Sequence, residues 1–439
     1  MIGAIADDVT GATDVAVALR RRGIRTVLFF GTPPEGTEPP EHDAIVIALK
    51  TRTIPKADAV AQSLAALAWL RTHGARQVYF KYCSTFDSTA EGNIGPVLDA
   101  LADAMDVPVV AMTPSSPEHG RTQYNGYLFV GEVLLSESHM RHHPLTPMTD
   151  SFLPRVLDGQ SAYRAGVVTL PLVREGAIER RLAELASQGI RYALVDAIDD
   201  ADLLTAGRAL ATAPLVAGAA GLAGGLAATH PQDPAGPASG PTATHPQAAD
   251  GLAGGSAAAQ PGAGQDGVGG CAPAGPAAVL AGSCSARTLE QVAAMIAAGR
   301  PAYRLDALAD PDPGSLARSA LAWYDALPDD SGAPLVYSSA EPVSLRRVQE
   351  ALGSERSAAI LESALGRVAQ GLVERGVTRV ISAGGETSGA VVSALGVPGG
   401  MIGPEAARGV PWILTTSGLS LLLKSGNFGE PGLLLEASR

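Results

Sequence analysis

The chain has 439 residues, with 32 Lys and Arg against 44 Asp and Glu, a formal net charge of −12 and a charged fraction of only 17%. An acidic, charge-poor chain lacks the clustered cations that phosphate backbones require, which excludes a general nucleic-acid binder. A hydrophobic content of 46% excludes wholesale disorder, and the length leaves room for two or three domains, each with its own core.

Residues 2–6 form a short apolar run that predicts a strand and ends in Asp7-Asp8. Val15, Ala16 and Leu19 then recur at helical spacing before Arg20-Arg21-Arg22-Gly23, and 26–30 predicts a second strand. The alternation continues with a strand at 44–48, a helix at 57–73 stopped by Gly74, a strand at 77–82, a helix at 95–105 and a strand at 108–112. Further strands are expected at 191–196 and 214–217. From 229 to 276 the composition collapses: 31 of 48 residues are Ala, Gly or Pro, with no aromatic, Lys or Arg. Such a stretch cannot offset the entropy of ordering and reads as a disordered linker or insertion between domains 1–228 and 277–439.

After it the rhythm resumes. Strands are predicted at 277–281, 302–305, 334–338 and 378–382, and helices at 288–298, 358–374 and 388–395. The apolar run 419–423 is read as a helix. Strands alternating with helices imply two α/β domains with largely parallel sheets and a cleft between them.

Cys83, Cys271 and Cys284 are too few and too scattered for a disulfide framework or a zinc cluster. The stretch 209–228 is mostly Ala and Gly and contains Pro214, a poor membrane span, and no basic leader precedes Ile2. The expected location is therefore the cytoplasm.

In an open parallel sheet, ligands gather beyond the carboxyl ends of the strands. Asp7 and Asp8 leave the first strand there, where a carboxylate suits general-base work on a hydroxyl or Mg²⁺ ligation. Adjacent side chains in extended chain point to opposite faces, so one meets substrate or metal while the other caps the next helix or holds the loop. Arg52, Lys81 and Arg121 are expected on one edge of the same sheet, cations for a small carboxylated substrate, with Asp87, Ser88 and Thr89 for sugar hydroxyls. His139, His142 and His143 read as a solvated helix end.

The second half carries Ser382-Ala383-Gly384-Gly385-Glu386-Thr387-Ser388-Gly389 between a strand and a helix. Paired glycines permit close approach and the helix start offers free N–H groups, an anion site; a capped tight turn is the plainer alternative. Gly282-Ser283-Cys284-Ser285 has the same grammar, and Lys424-Ser425-Gly426-Asn427-Phe428-Gly429 joins a cation to two glycines. There is no P-loop and no Gly-x-Gly-x-x-Gly after the first strand.

These blocks resemble the four-carbon acid sugar kinase family. The resemblance is carried by Ala6-Asp7-Asp8-Val9-Thr10-Gly11-Ala12-Thr13-Asp14, by Lys81-Tyr82-Cys83-Ser84-Thr85-Phe86-Asp87-Ser88-Thr89 with Gly92-Asn93-Ile94-Gly95, and by the Gly384 and Lys424 blocks. The second block leans toward the 3-oxo-tetronate kinase branch. Val9 stands where the family often has an aromatic, and the linker is unusually long. The resemblance implies an N-terminal sugar-acid-binding domain and a C-terminal ATP-binding domain. It implies ATP- and Mg²⁺-dependent phosphorylation of the C4 hydroxyl of a four-carbon sugar acid. Asp7 or Asp8 would be catalytic. Substrate contacts would fall on Asp8, Arg52, Lys81, Tyr82, Cys83 and Ser84, joined by Arg121. ATP contacts would fall on Ser283 or Ser285, on Gly384, Gly385, Glu386 and Thr387, and on Gly426. The expected partners are the sugar acid, ATP and a second copy of the chain in a homodimer, with no nucleic acid and no membrane. The alternatives are a threonate or erythronate kinase using the same site, and a sensor without turnover.

Overall fold

The structure is a computed structural model and describes residues 1–143, 146–230 and 273–439; most of the predicted linker at 229–276 therefore lies outside the described residues. Short runs rich in Val, Ile, Leu and Ala form the strands, each bounded by Gly, Pro or charged residues. In the first half these are β1 (Ile2–Ala6), β2 (Thr26–Phe30), β3 (Ala44–Ala48), β4 (Gln77–Lys81) and β5 (Val110–Thr113). A small antiparallel sheet follows, β6 (Arg121–Tyr124), β7 (Tyr127–Val130) and β8 (Val133–Leu134), then β9 (Arg164–Val168), β10 (Ile190–Val195) and β11 (Leu215–Gly218). The second half contributes β12 (Ala277–Ala281), β13 (Ala302–Arg304), β14 (Leu335–Tyr337), β15 (Arg379–Ala383), β16 (Gly399–Ala407), β17 (Val410–Leu414) and β18 (Ser420–Lys424).

β2-β3-β1-β4-β11-β5-β10-β9 run parallel, and so do β13-β14-β12-β15-β18. The two blocks are not separate sheets. β17 pairs antiparallel with β18, and β16 pairs antiparallel with both β17 and β2, so fifteen strands share one hydrogen-bonded sheet. β2 would otherwise be an open edge, and β16 covers it. The junction depends on Gly399, opposite Phe29: with φ +156, a Cβ there would stand 2.8 Å from Phe29 Cα and collide with the Leu28 carbonyl.

Helices cover both faces. Ala4 and Ala6 of β1 pack with the helices Val9–Arg20 and Ala220–Ala227, while Ile5 packs on the other side with Lys56–Thr72 and Ile94–Ala104. In the second half Val279 shares a cluster with Val292 and Met295 of the helix Ala286–Ala297. Leu280, on the opposite face, shares one with Val391 of the helix Gly385–Leu395.

The expected helix at 419–423 is the strand β18, buried along its length between β15 and β17. A five-residue apolar run has the same composition in a buried strand and a buried helix, and only its neighbours decide. The long strand β16 and its hairpin partner β17 are additions, hidden by glycine, proline and a break in periodicity.

Candidate active site

Helices following β1 and β3 leave on opposite faces of the sheet, and so do those following β12 and β15. Each divergence opens a crevice at the carboxyl ends of adjacent strands, the place where such sheets take ligands.

In the first crevice the loops are held by backbone bonds from Leu49 to Ala6, from Thr51 to Asp7 and from Asp7 to Lys81, each N–H donating to a carbonyl at 2.9, 2.9 and 3.1 Å. Arg52 organises the acids. Its Nε and Nη2 donate to the two oxygens of Asp7 at 3.0 and 2.8 Å, and Nη2 also lies 2.9 Å from Asp8 Oδ1. Asp87 follows at 3.8 Å. Asp8 is the N-cap of the helix Val9–Arg20, accepting from Gly11 N at 2.9 Å and from the Thr10 hydroxyl at 2.8 Å. Asp8 thus does the capping and Asp7 holds Arg52, yet both carboxylates reach the same guanidinium instead of diverging, its Nη2 lying between them.

Burial raises the Asp7 carboxyl above the usual carboxylate range despite Arg52. Burial pushes Asp8 the same way, but Arg52, Lys81, Thr10 and the Gly11 N–H outweigh it and hold Asp8 low. Two adjacent acids are driven apart, leaving Asp8 the firmly ionised one. Lys81 is 3% exposed; its Nζ donates to the Tyr82 carbonyl at 2.8 Å and lies against Gly11, 2.7 Å from where a Cβ would stand.

The rest of the predicted set is mixed. Cys83 and Ser84 are partly exposed in the loop after β4. Cys83 Sγ sits 3.0 Å from the Thr85 hydroxyl, and burial pushes its thiol up to about 11. Tyr82 faces the core, its ring against Phe80 and Phe86, so only its backbone is available to the crevice. Ser88 is 3% exposed and its hydroxyl is bonded by Gln160, which also donates to the carbonyl of the partly exposed Thr89. Arg121 is not on the edge of the main sheet: it begins β6 in the small sheet and its guanidinium donates to the His119 carbonyl.

In the second crevice three loops converge. Gly384, at φ +128, precedes a helix with no side-chain cap, so its first N–H groups are free; Gly385 and Glu386 are exposed and Thr387 is buried. A Cβ on Gly282 would collide with the Thr387 hydroxyl, and one on Gly426 would stand 2.5 Å from Ser283 Oγ. Ser285 caps the helix Ala286–Ala297, and its hydroxyl donates to the Gly426 carbonyl at 2.6 Å. Lys424 is 0% exposed; its ammonium donates to Thr288 Oγ1 at 3.0 Å and to the Gly426 carbonyl at 2.9 Å, and burial lowers its pKa to about 8. It is the last residue of β18.

Further charged groups lie between the crevices, to which the sequence reading assigned no role. Lys50, beside Arg52, lies along the helix Gly385–Leu395, its Nζ 2.6 Å from where a Gly389 Cβ would stand. Arg21 grips Glu405 with two bonds of 2.8 and 2.7 Å and reaches Glu118 at 3.3 Å, and Arg408 also pairs with Glu118. The His119 ring lies 5.4 Å from that of Phe428. Asp14, inside the opening block, is partly exposed, and burial pushes it up to about 7. A carboxylate at helical spacing from Thr10 was the available signal. Among the described residues no group of three or more His, Cys, Asp or Glu is placed to hold a metal ion, and no helix is long and apolar enough to cross a membrane.

One crevice thus gathers carboxylates and cations suited to a small polyhydroxy acid, and the other presents glycine loops and an uncapped helix suited to phosphates; together they define a two-domain small-molecule kinase. Residues 2–226 match the family model described as a sugar-binding N-terminal domain, and residues 278–434 the one described as a nucleotide-binding C-terminal domain. A 3-oxo-tetronate kinase of Cupriavidus necator is 47% identical, covering 100% of this chain and 96% of the relative. One of Escherichia coli K12 is 44% identical, covering 93% and 99%. A solved structure from Salmonella typhimurium LT2 superposes with a TM-score of 0.84 at 41% identity, covering 100% of this chain and 98% of that one. The chain belongs to the four-carbon acid sugar kinase family.

Proposed function

We propose that this kinase transfers the γ-phosphoryl group of ATP to the C4 hydroxyl of 3-oxo-tetronate, the substrate named for its relatives. The observation that carries the reading is the pair of crevices of opposite chemistry, one built on Asp7, Asp8, Arg52 and Lys81, the other on Gly282, Gly384 and Gly426. The division of labour follows the limits 1–228 and 277–439.

The substrate carboxylate docks against Lys81 and Arg52, with the backbone of Tyr82 and with Cys83 and Ser84; Arg121, in the small sheet, stays outside this set. Arg52 already shares its charge with Asp7 and Asp8, so Lys81 supplies most of the attraction. Asp7 fixes Arg52, and Asp8, ionised at neutral pH, orients the C4 hydroxyl. Ser283, Ser285 and Gly426 line one side of the nucleotide; the N–H groups of Gly385, Glu386 and Thr387 face its phosphates, and Gly384, whose own N–H donates to the Lys424 carbonyl at 2.9 Å, gives the close approach. Mg²⁺ takes most of its ligands from phosphate and water and needs only one or two carboxylates, a demand that exposed Glu386 meets without a protein cage. When bound it would neutralise charge on the phosphates. Phosphoryl transfer depends chiefly on positioning and charge neutralisation, which these loops provide. The setting is the cytoplasm and the assembly a homodimer, the latter checked by light scattering.

A coupled ADP-release assay across 3-oxo-tetronates, threonates and erythronates tests the reading. Release with the 3-oxo acids is expected; release with none of the panel refutes it, and release with threonate or erythronate alone reassigns the substrate.

A further inference from the structure

Three carboxylates stand along the first turns after β1, and two of them are fully engaged. Asp7 takes both its oxygens to Arg52, and Asp8 accepts from Arg52, Thr10 and the Gly11 N–H. Asp14 differs. Among the described residues no hydrogen bond or ion pair engages it, so its lone pairs are free.

Its position is set by the helix Val9–Arg20. Asp14 lies four residues after Thr10 and seven before Arg21, on the helix stripe that is not sunk in the core. The charged groups around it come from several elements: Lys81 at the end of β4, Asp8 at the helix's own cap, Glu118 from the loop after β5, and Arg21 about two turns further along the helix. Lys81 Nζ rests on Gly11, which lies three residues before Asp14 and so on the same side of the helix. Glu118 and Arg21 in turn hold Arg408 and Glu405, and the turn at Gly409 packs against the ring of Phe428 in the nucleotide loop. The free carboxylate therefore stands between the cations of the sugar-acid crevice and the loop that carries Gly426.

We propose that Asp14 accepts the proton of the substrate's C4 hydroxyl during phosphoryl transfer, while Asp8 only orients that hydroxyl. The inference rests on the kinase reading above. In the step, the hydroxyl oxygen forms a bond to the γ-phosphorus, and the bond from that phosphorus to the β–γ bridging oxygen breaks. ADP leaves with the bonding electrons, and the hydroxyl proton passes to the Asp14 carboxylate. Asp8 is held low by Arg52 and Lys81 and is a weak base, whereas burial pushes Asp14 up to about 7, where a proton acceptor is most effective near neutral pH.

The test compares wild type, Asp14→Asn and Asp14→Glu in the coupled assay from pH 5.5 to 9, with ATP affinity measured by calorimetry. In the wild type kcat/KM falls on the acid side with a bend near pH 7. Asp14→Asn lowers kcat by about 100-fold or more, abolishes that bend and leaves ATP affinity within about threefold; Asp14→Glu recovers part of the rate. The ionisation of ATP is common to all three proteins and cancels in the comparison. A thermal readout guards against a merely structural effect. A carboxyl whose folded pKa is raised weakens the fold as pH climbs from about 4 to about 7. Asp14→Asn should therefore gain more melting temperature over wild type at pH 8 than at pH 5, and none at pH 3.5. An Asp14→Asn enzyme with kcat within about threefold of wild type, or one that keeps the acid-side bend, overturns the assignment. A wild type that phosphorylates no sugar acid at any pH overturns the kinase reading instead.

Discussion

Lys424→Met probes the least ordinary group in the nucleotide crevice. The ammonium is 0% exposed, no acidic side chain pairs with it among the described residues, and burial lowers its pKa to about 8. Its removal strands nothing. The Gly426 carbonyl still accepts from the Ser285 hydroxyl at 2.6 Å and from the Thr288 hydroxyl at 2.9 Å, so both hydroxyls keep a partner. Two charge-assisted hydrogen bonds are lost, about 1.5–3 kcal/mol each. Against that stands the relief of burying an unpaired cation, several kcal/mol in rough terms. The fold should thus change little, with a melting shift of a few degrees at most. Phosphate affinity is a different matter: a unit charge near a phosphate at an effective dielectric of about 20 contributes on the order of 2 kcal/mol, or about 30-fold in Kd. The pH dependence has a definite sign. Between pH 8 and 10.5 the unfolded chain holds a proton that the folded one sheds, so stability from this group rises across that window and its burden is full below it. ATP binding runs the other way, weakening as Lys424 deprotonates. Calorimetric titration with ATP at pH 7 and pH 9.5 should show the wild type losing affinity with pH, and Lys424→Met weak at pH 7 and indifferent to pH. A variant that binds ATP as the wild type does at both pH values would refute the reasoning.

Gly399→Ala places a Cβ 2.8 Å from Phe29 Cα at the seam between the halves; urea unfolding should show a loss of about 3 kcal/mol, and an unchanged midpoint would mean that the seam can yield. Asp8→Asn keeps a competent N-cap, so folding and ATP affinity should hold while kcat drops by about 100-fold through a misplaced hydroxyl; full turnover would remove Asp8 from the site. Arg52→Met leaves Asp7 buried without its partner, which should cost about 3–5 kcal/mol and more at pH 8 than at pH 5, because Asp7 escapes the burden by protonating. Equal stability at both pH values, measured by thermal unfolding, would show that Asp7 is not the acid Arg52 neutralises.

Much of this molecule is local. The strands β1 to β4, the helices between them, and β12 and β15 are written in runs of Val, Ile and Leu with Gly at the stops, because strand period and turn chemistry act within a few residues. The opening Asp7-Asp8 pair and the Gly384-Gly385 loop were legible for the same reason: chemistry at a strand end needs no distant partner to be visible. The run 419–423 was misread because burial on both faces erases the period that separates strand from helix. Arg121 was misplaced because its loop leaves the main sheet for β6.

What the residues alone determine is the class of fold, the two crevices by their loops, and the family. Only the tertiary structure decides who is partnered. It takes Asp7 and Asp8 to one arginine, buries Lys424 without an acid, turns Tyr82 and Ser88 inward, and leaves Asp14 free between the halves. It also fuses two expected sheets into one through β2 and β16. The physical reason is common to all of these: propensity and pattern act over a turn or a strand, whereas the state of a charge depends on burial and on neighbours that the chain brings in from tens to hundreds of residues away.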